Sequence, residues 1–400
     1  MKRVNKHLLL FACAFLFLAT GFSKDYFQQM RHTLERLVYD IRTHDSEGIT
    51  RFIGQVDSNA SELLSYHYGL LNINSIRDNL LNTRIIIKDD ETILKTHSES
   101  LIPLRGEPLS DAKLSDIVTS VSNIYSTTQE TGGQFLYIAT PVKGVFCSAP
   151  ENVTDYSAYN YEKLVCALKD QSVPVLDLAE EMRKEGLATE DAFFRTDHHW
   201  KPSTGFGVAN TICSELRDRY GFSFDPCFCD ISNYTVTTYK NWFLGSYGKK
   251  TGLYYTDGGA DDIDLILPAF ETQLTELQPL KNTSRSGAFD ETVIYQENIL
   301  EKDFYALNPY AAYSGGDFRL QIIRNHQNPN GKTAVIIRNS FACVVTPFLS
   351  LNLSELHLLD NRDYIFGEPI NVHEYIRKIQ PDYVLILCVG TNVIDEGTEK

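Results

Sequence analysis

The sequence predicts an α/β fold: a doubly wound, mostly parallel sheet with helices on both faces, plus a β-leaning insertion. Three observations predict it. Near-continuous apolar runs recur around residues 135–140, 332–337 and 381–390, the pattern of strands buried on both faces. Stretches with helical spacing alternate with these runs, as in proteins built around a parallel sheet. Residues 225–330 interrupt the alternation; they are rich in Tyr, Thr, Asn, Gly and Asp and show weak helical periodicity.

In chain order, Lys2, Arg3 and Lys6 precede an apolar run from Leu8 to Ala19, and Ala19-Thr20-Gly21 resembles a small-x-small cleavage site. Residues 1–21 therefore read as a signal peptide or an N-terminal anchor. The run is shorter than the roughly 20 residues of a spanning helix, and Cys13 inside it reads as an apolar filler. From Lys24 to about His67 the apolar positions Leu34, Leu37, Val38 and Ile41 recur at helical spacing. Strands are expected at Thr83–Lys88 and Ile93–Leu94, with a turn at Asp89-Asp90, and a helix at Leu109–Gln129. Phe135–Thr140 is a strand stopped by Pro141. A helix (Tyr161–Asp170), a strand (Val173–Leu176) and two more helices (Leu178–Glu185 and Gly205–Tyr220) follow. Gly245–Tyr255 reads as a turn-rich segment between strands.

The α/β pattern resumes with a strand at Lys332–Ile337, a helix at Pro347–Asn352 and a strand at Ser354–Asp360. A helix at Val372–Gln380 and a last strand at Pro381–Gly390 complete it. The expected organisation is a discontinuous α/β domain (22–224 and 331–400) with 225–330 as an insertion or lobe. In such sheets sites lie beyond the carboxyl ends of the strands. Ser340 and Gly390-Thr391-Asn392 fall there.

The chain has 400 residues and a formal net charge of -15 with no Lys/Arg run, which argues against a nucleic-acid partner and against a polyanionic substrate. Seven cysteines follow Cys13: 147, 166, 213, 227, 229, 343 and 388. An odd number leaves at least one unpaired in a monomer. No pair of Cys or His motifs has zinc spacing. Neither a metal site nor a cofactor is expected.

A serine hydroxyl becomes a useful nucleophile only beside an imidazole that takes its proton, itself held by a third group. Asp197 and His199, two residues apart, point the same way in an extended or turning segment, and His198 points elsewhere. The competing reading is a packed loop with Asp197 capping the next helix. Ser340 sits between a strand and a helix, where backbone amides can stabilise an oxyanion; an N-cap serine is the alternative. Asn392 is a candidate oxyanion donor or part of a plain turn. Lys143, Arg338 and Arg362 are candidate anion contacts or ordinary surface charges. Trp200, Trp242, Tyr254 and Tyr255 are candidates for stacking on sugar rings or for core packing.

Phe193-Phe-Arg-Thr-Asp-His-His-Trp200, followed by Thr204-Gly205, resembles the signature of the DHHW family of exported bacterial proteins. The resemblance continues in Pro141-Val142-Lys143, Gly245–Gly252, Gly315-Gly316-Asp317, Val335–Phe341 and Asp360-Asn361-Arg362. That family is similar to the exported alginate O-acetyltransferases, with their SGNH-hydrolase-like catalytic domains. The resemblance implies Asp197 as the orienting acid, His199 as the general base and Ser340 as the nucleophile, with His198 at a variable position. The order Asp, His, Ser is reversed relative to ordinary SGNH enzymes, and Asn339 stands where the family has Asp. What it implies is an exported serine O-acetyltransferase, at the cell surface or secreted, that uses an acyl-serine intermediate. Its acceptor would be a cell-surface or extracellular polysaccharide, and a membrane partner would supply the acyl group. An O-acetyl esterase would use the same residues with water as acceptor. A cell-envelope glycan-binding or assembly protein that retains only the fold is the non-enzymatic alternative.

Overall fold

The computed structural model describes residues 67–88, 90–187, 189–362 and 368–389. The signal or anchor segment, the helix expected from Lys24 (save His67) and Gly390–Asn392 lie outside them. The chain divides into two units, Met1–Leu81 and Asn82–Lys400. In the first, the described residues form one helix, α1 (His67–Leu80). No helix among the described residues is long and apolar enough to cross a membrane.

The second unit begins with a small antiparallel sheet, β1 (Ile85–Lys88), β2 (Glu91–Lys95) and β3 (Leu101–Pro103). The α/β body follows: α2 (Asp111–Glu130), β4 (Gln134–Thr140), α3 (Ser157–Asp170), β5 (Val175–Asp177), α4 (Leu178–Lys184) and α5 (Pro202–Tyr220). Then come β6 (Tyr234–Phe243), α6 (Ser246–Thr251), β7 (Asp261–Pro268), β8 (Leu274–Gln278), β9 (Thr283–Gly287) and β10 (Leu320–Asn325). The chain returns through β11 (Thr333–Arg338), α7 (Thr346–Ser350), β12 (Glu355–Leu359), α8 (Val372–Ile379) and β13 (Tyr383–Val389).

The central sheet has eight strands in the order β5-β4-β13-β11-β12-β10-β8-β9. The first five run parallel, and β10, β8 and β9 add antiparallel. Successive strand residues face opposite sides. Leu136, Ile138, Ile336, Leu385 and Leu387 join one core with α5, while Phe135, Tyr137, Val335, Val384 and Ile386 join the other with α2, α3 and α8. Helices thus cover both faces, as the apolar runs predicted.

Two expectations change. Of residues 225–330, β6 and β7 pair as a separate ribbon, but β8, β9 and β10 belong to the central sheet, so the second half is not a lobe. Alternating burial along β8 hides this membership from a search for apolar runs. The Gly245–Tyr255 segment does lie between strands, yet its first half is helical.

Helix α5 starts with a proline in its first turn and ends at Gly221 in the left-handed conformation. It packs against the turn that follows β11. A Cβ on Gly205 would lie 2.5 Å from the Val344 carbonyl oxygen. A larger residue forces the helix off that turn. Gly205→Ala is expected to lower the unfolding free energy by about 1–3 kcal/mol, read from a urea titration. An unchanged midpoint and slope would contradict so close an approach.

Candidate active site

Strand β11 is flanked by β12 and β13, so its carboxyl end opens at the centre of the parallel sheet. Asn339 follows. Its side-chain oxygen accepts from the Phe341 amide at 3.1 Å and caps a single turn, Ser340–Val344. Ser340 is the first residue of that turn. Among the described residues its own amide meets no acceptor, whereas those of Phe341 and Ala342 are taken. A developing oxyanion on a bound acyl group would find that amide free.

The second segment is a tight loop closed by pairing of Phe193 with Trp200. The Phe194 amide donates to the His199 carbonyl at 3.1 Å. At the tip, Asp197 Oδ1 accepts from the His199 amide at 2.9 Å and from His199 Nδ1 at 2.6 Å. Asp197 and His199 meet through an Asx-type turn rather than through extended backbone. His199 Nε2 lies 2.8 Å from Ser340 Oγ. The tautomer that satisfies both contacts carries its proton on Nδ1 and accepts from the serine hydroxyl at Nε2.

Asp197 is buried and its second oxygen accepts from the Ser246 amide at 2.6 Å. Burial alone would raise its pKa. The neighbouring imidazoles and the hydrogen bonds from His199 and Ser246 outweigh it and hold the carboxyl well below the usual range. An ionised Asp197 is what a transient imidazolium at His199 requires.

The loop is held from several sides. Asp261 accepts from the amides of Arg195 and Thr196 at 2.9 and 2.8 Å and from the Thr196 hydroxyl. That hydroxyl accepts from the Gly245 amide at 2.9 Å. A Cβ on Gly245 would lie 2.3 Å from the Asp197 Cβ, so only glycine allows the Gly245–Ser246 backbone to reach Asp197. Two rings pack against that of His199. Tyr310 stacks on it at 4.2 Å and 18°, and His198 lies tilted against it at 3.8 Å and 37°. The Tyr310 hydroxyl also donates to the Ser340 carbonyl at 3.1 Å, coupling base and nucleophile to one buried side chain.

Several expected contacts are corrected. Trp200 is fully buried; its Nε1 donates to the Phe341 carbonyl at 2.9 Å, so it ties the two segments together and presents no wall to a ligand. Tyr255 is also fully buried and donates to the Thr83 carbonyl, which removes it from any stacking surface. Lys143 is buried and donates to the carbonyls of Phe194 and Arg195 at 2.6 and 3.1 Å. Burial pushes its pKa down to about 8, against the pull of Asp261, Cys147 and Asp197. It is a brace under the loop. Arg338 is buried against Asp317 and the Gly316 carbonyl, and Asp317 also pairs with Arg362 at 2.8 Å. These cations are committed within the protein. Trp242 donates to the Ile299 carbonyl. Tyr254 is 49% exposed, and Asn392 lies outside the described residues.

Tyr310, Ser246 and Asp261 are functional supports that sequence reasoning missed. Only Ser246 carried a signal, within the Gly245–Gly252 resemblance. Among the described residues, Asp197, His198 and His199 form the one group whose side chains could converge on a metal ion.

Fold and site together define an SGNH hydrolase-like α/β protein with Ser, His and Asp side chains in hydrogen-bonded series. Residues 100–225 match the family model described as an SGNH hydrolase-like domain, acetyltransferase AlgX. That segment is similar to an SGNH hydrolase-like acetyltransferase domain, in line with the resemblance read from the sequence. Bacillus cereus PatB1 with a sulfonyl adduct is similar in fold, with a TM-score of 0.63 and 19% identity over 77% of this chain and 98% of that one. PatB1 without the adduct gives 0.62 and 19% over 78% and 100%. A DHHW family protein from Eubacterium siraeum DSM 15702 gives 0.53 and 18% over 78% and 95%. No curated protein matches the sequence.

Asn339 caps the Ser340–Val344 turn through a neutral oxygen, so the role does not need a charge. Asn339→Asp is expected to keep stability and ester turnover within about threefold of wild type. Asn339→Ala is expected to lose about 1 kcal/mol of stability and most turnover. Thermal melts and an activated-ester assay on both variants check this; equal turnover in Asn339→Ala would contradict the capping role.

Proposed function

We propose that the protein is a serine O-acyltransferase that takes an acetyl group onto Ser340 and passes it to a hydroxyl of a cell-envelope carbohydrate. The observation that carries this reading is the unbroken series Asp197–His199–Ser340, with contacts of 2.6 and 2.8 Å. His199 Nε2 accepts the Ser340 proton as Oγ attacks the acyl carbonyl, and the Ser340 amide receives the oxyanion. His199 then returns the proton to the leaving group. A hydroxyl of the acceptor enters, loses its proton to Nε2 and collapses the acyl-serine, restoring the free enzyme. Asp197 keeps the imidazole oriented and stabilises its charged form.

Acetyl as the acyl group is supported by the acetyltransferase description of the matching family model. The basic and apolar start of the sequence supports action outside the cytoplasm, and the resemblance to exported O-acetyltransferases supports a membrane partner as acyl donor. Exposed Tyr254 is a candidate stacking surface for a sugar. An O-acetyl esterase is the second reading, since water can replace the acceptor without any change in the residues used. Asn339, standing where the resembling family has Asp, is the feature that favours the non-catalytic reading, and its neutral cap on the Ser340 turn weakens that reading.

An activated acetyl ester tests the proposal. Wild type should release its leaving group in a burst followed by turnover. Ser340→Ala and His199→Ala should each lose about three orders of magnitude or more. Comparable rates in wild type and Ser340→Ala would overturn it.

A further inference from the structure

The series Asp197–His199–Ser340 leaves one imidazole at its mouth without a task. The side chain of His198 is 36% exposed, against 10% for His199. It is not loose. Its Nδ1 lies 3.1 Å from the Ser246 hydroxyl, and Ser246 is the residue whose amide holds Asp197. Its ring lies on His199 at 3.8 Å, with Tyr247 and Phe341 at 5.7 and 5.9 Å. With Nδ1 engaged, Nε2 has no hydrogen-bond partner among the described residues, on a side chain that is partly exposed. A fixed polar edge beside a nucleophile, left without a partner, is a hydrogen-bonding position for a substrate.

What arrives there follows from its distance to the chemistry. The two ring centroids lie 3.8 Å apart, so a molecule whose attacking hydroxyl approaches His199 Nε2 can bring a neighbouring hydroxyl to His198. Water has no such second group, and a simple alcohol presents a carbon. Either tautomer of His198 suits a hydroxyl, which both donates and accepts.

We propose that His198 Nε2 binds a hydroxyl of the acyl acceptor next to the one that attacks, so that the site selects vicinal diols, sugars included, over water and simple alcohols. This rests on the acyl-serine reading of Ser340. In the transfer step the attacking oxygen bonds to the acyl carbon while its proton passes to His199 Nε2. The bond from that carbon to Ser340 Oγ then breaks, and Oγ takes the proton back. His198 makes and breaks no covalent bond; it holds the acceptor, and it also biases the acyl-serine toward transfer over hydrolysis.

The test is the partition of the acetyl-enzyme formed from 4-nitrophenyl acetate. It is trapped in parallel with 1,2-propanediol and 1,3-propanediol, and acetylated diol and free acetate are quantified by mass spectrometry. The partition ratio does not depend on how fast the acyl-enzyme forms. Wild type is expected to favour the 1,2-diol by about fivefold, the worth of one net hydrogen bond. His198→Ala should bring the two diols to parity. His198→Gln, which keeps a hydrogen-bonding group, should retain part of the preference and serves also if the alanine variant folds poorly. Equal trapping of the two diols by wild type, or a preference that survives in His198→Ala, overturns the inference. Absence of any acetyl on Ser340 in the intact wild-type protein overturns the acyl-serine reading itself, and this inference with it.

Discussion

Two segments separated by 141 residues must meet for this site to exist. They do so through two adjacent hydrogen bonds, His199 Nε2 to Ser340 Oγ and Trp200 Nε1 to the Phe341 carbonyl. The second is fully buried and sets the register of the first. A buried indole N–H left unmatched would cost about 1–3 kcal/mol, so the alignment of residue 200 with residue 341 is enforced by desolvation. The neighbouring pair, 199 with 340, is then brought to bonding distance without further freedom. The close approach of Gly205 to Val344 extends the same contact into α5. Loop and helix therefore dock on the Ser340–Val344 turn as one unit.

The β-rich stretch between those segments is more than a connection. It supplies Gly245 and Ser246 to Asp197, Asp261 to the 195–196 backbone, and Tyr310 to both His199 and Ser340. Ser314 donates to the Cys343 carbonyl, and Asp317 pairs with buried Arg338 at the end of β11. Strands β8 to β10 anchor this scaffold in the central sheet. Asp197, His199 and Ser340 come from the α/β alternation, and most of the residues that hold them come from the segment between. This division resembles other sites in which a rigid sheet positions loops and a surrounding shell fixes side-chain orientation.

The parts legible in the sequence are those with periodicity or a short motif. Every strand of the parallel portion announced itself through an apolar run or a strand–helix alternation, with ends displaced by a few residues. Asp197 and His199 were legible as an Asp and a His two residues apart within a short motif, and Ser340 from its place directly after a strand. Trp200 and Tyr255 were misread because a large aromatic ring serves equally in a core and at a surface, and only burial separates the two. Lys143 and Arg338 were misread for a related reason. A cation near a site suggests an anionic ligand, but backbone carbonyls or a carboxylate inside the protein can satisfy it as well. Asp261 and Tyr310 act at long sequence range from segments without periodicity, and nothing local marks them. Strands β8 and β9 escaped because one-sided burial produces alternation in place of an apolar run.

A Ser340 nucleophile made reactive by His199 should react with an arylsulfonyl fluoride, read by peptide mass spectrometry. A single adduct on Ser340 is expected in wild type, with a rate of labelling that collapses in His199→Ala. Labelling at another residue, or equal labelling of Ser340 with and without His199, would contradict it.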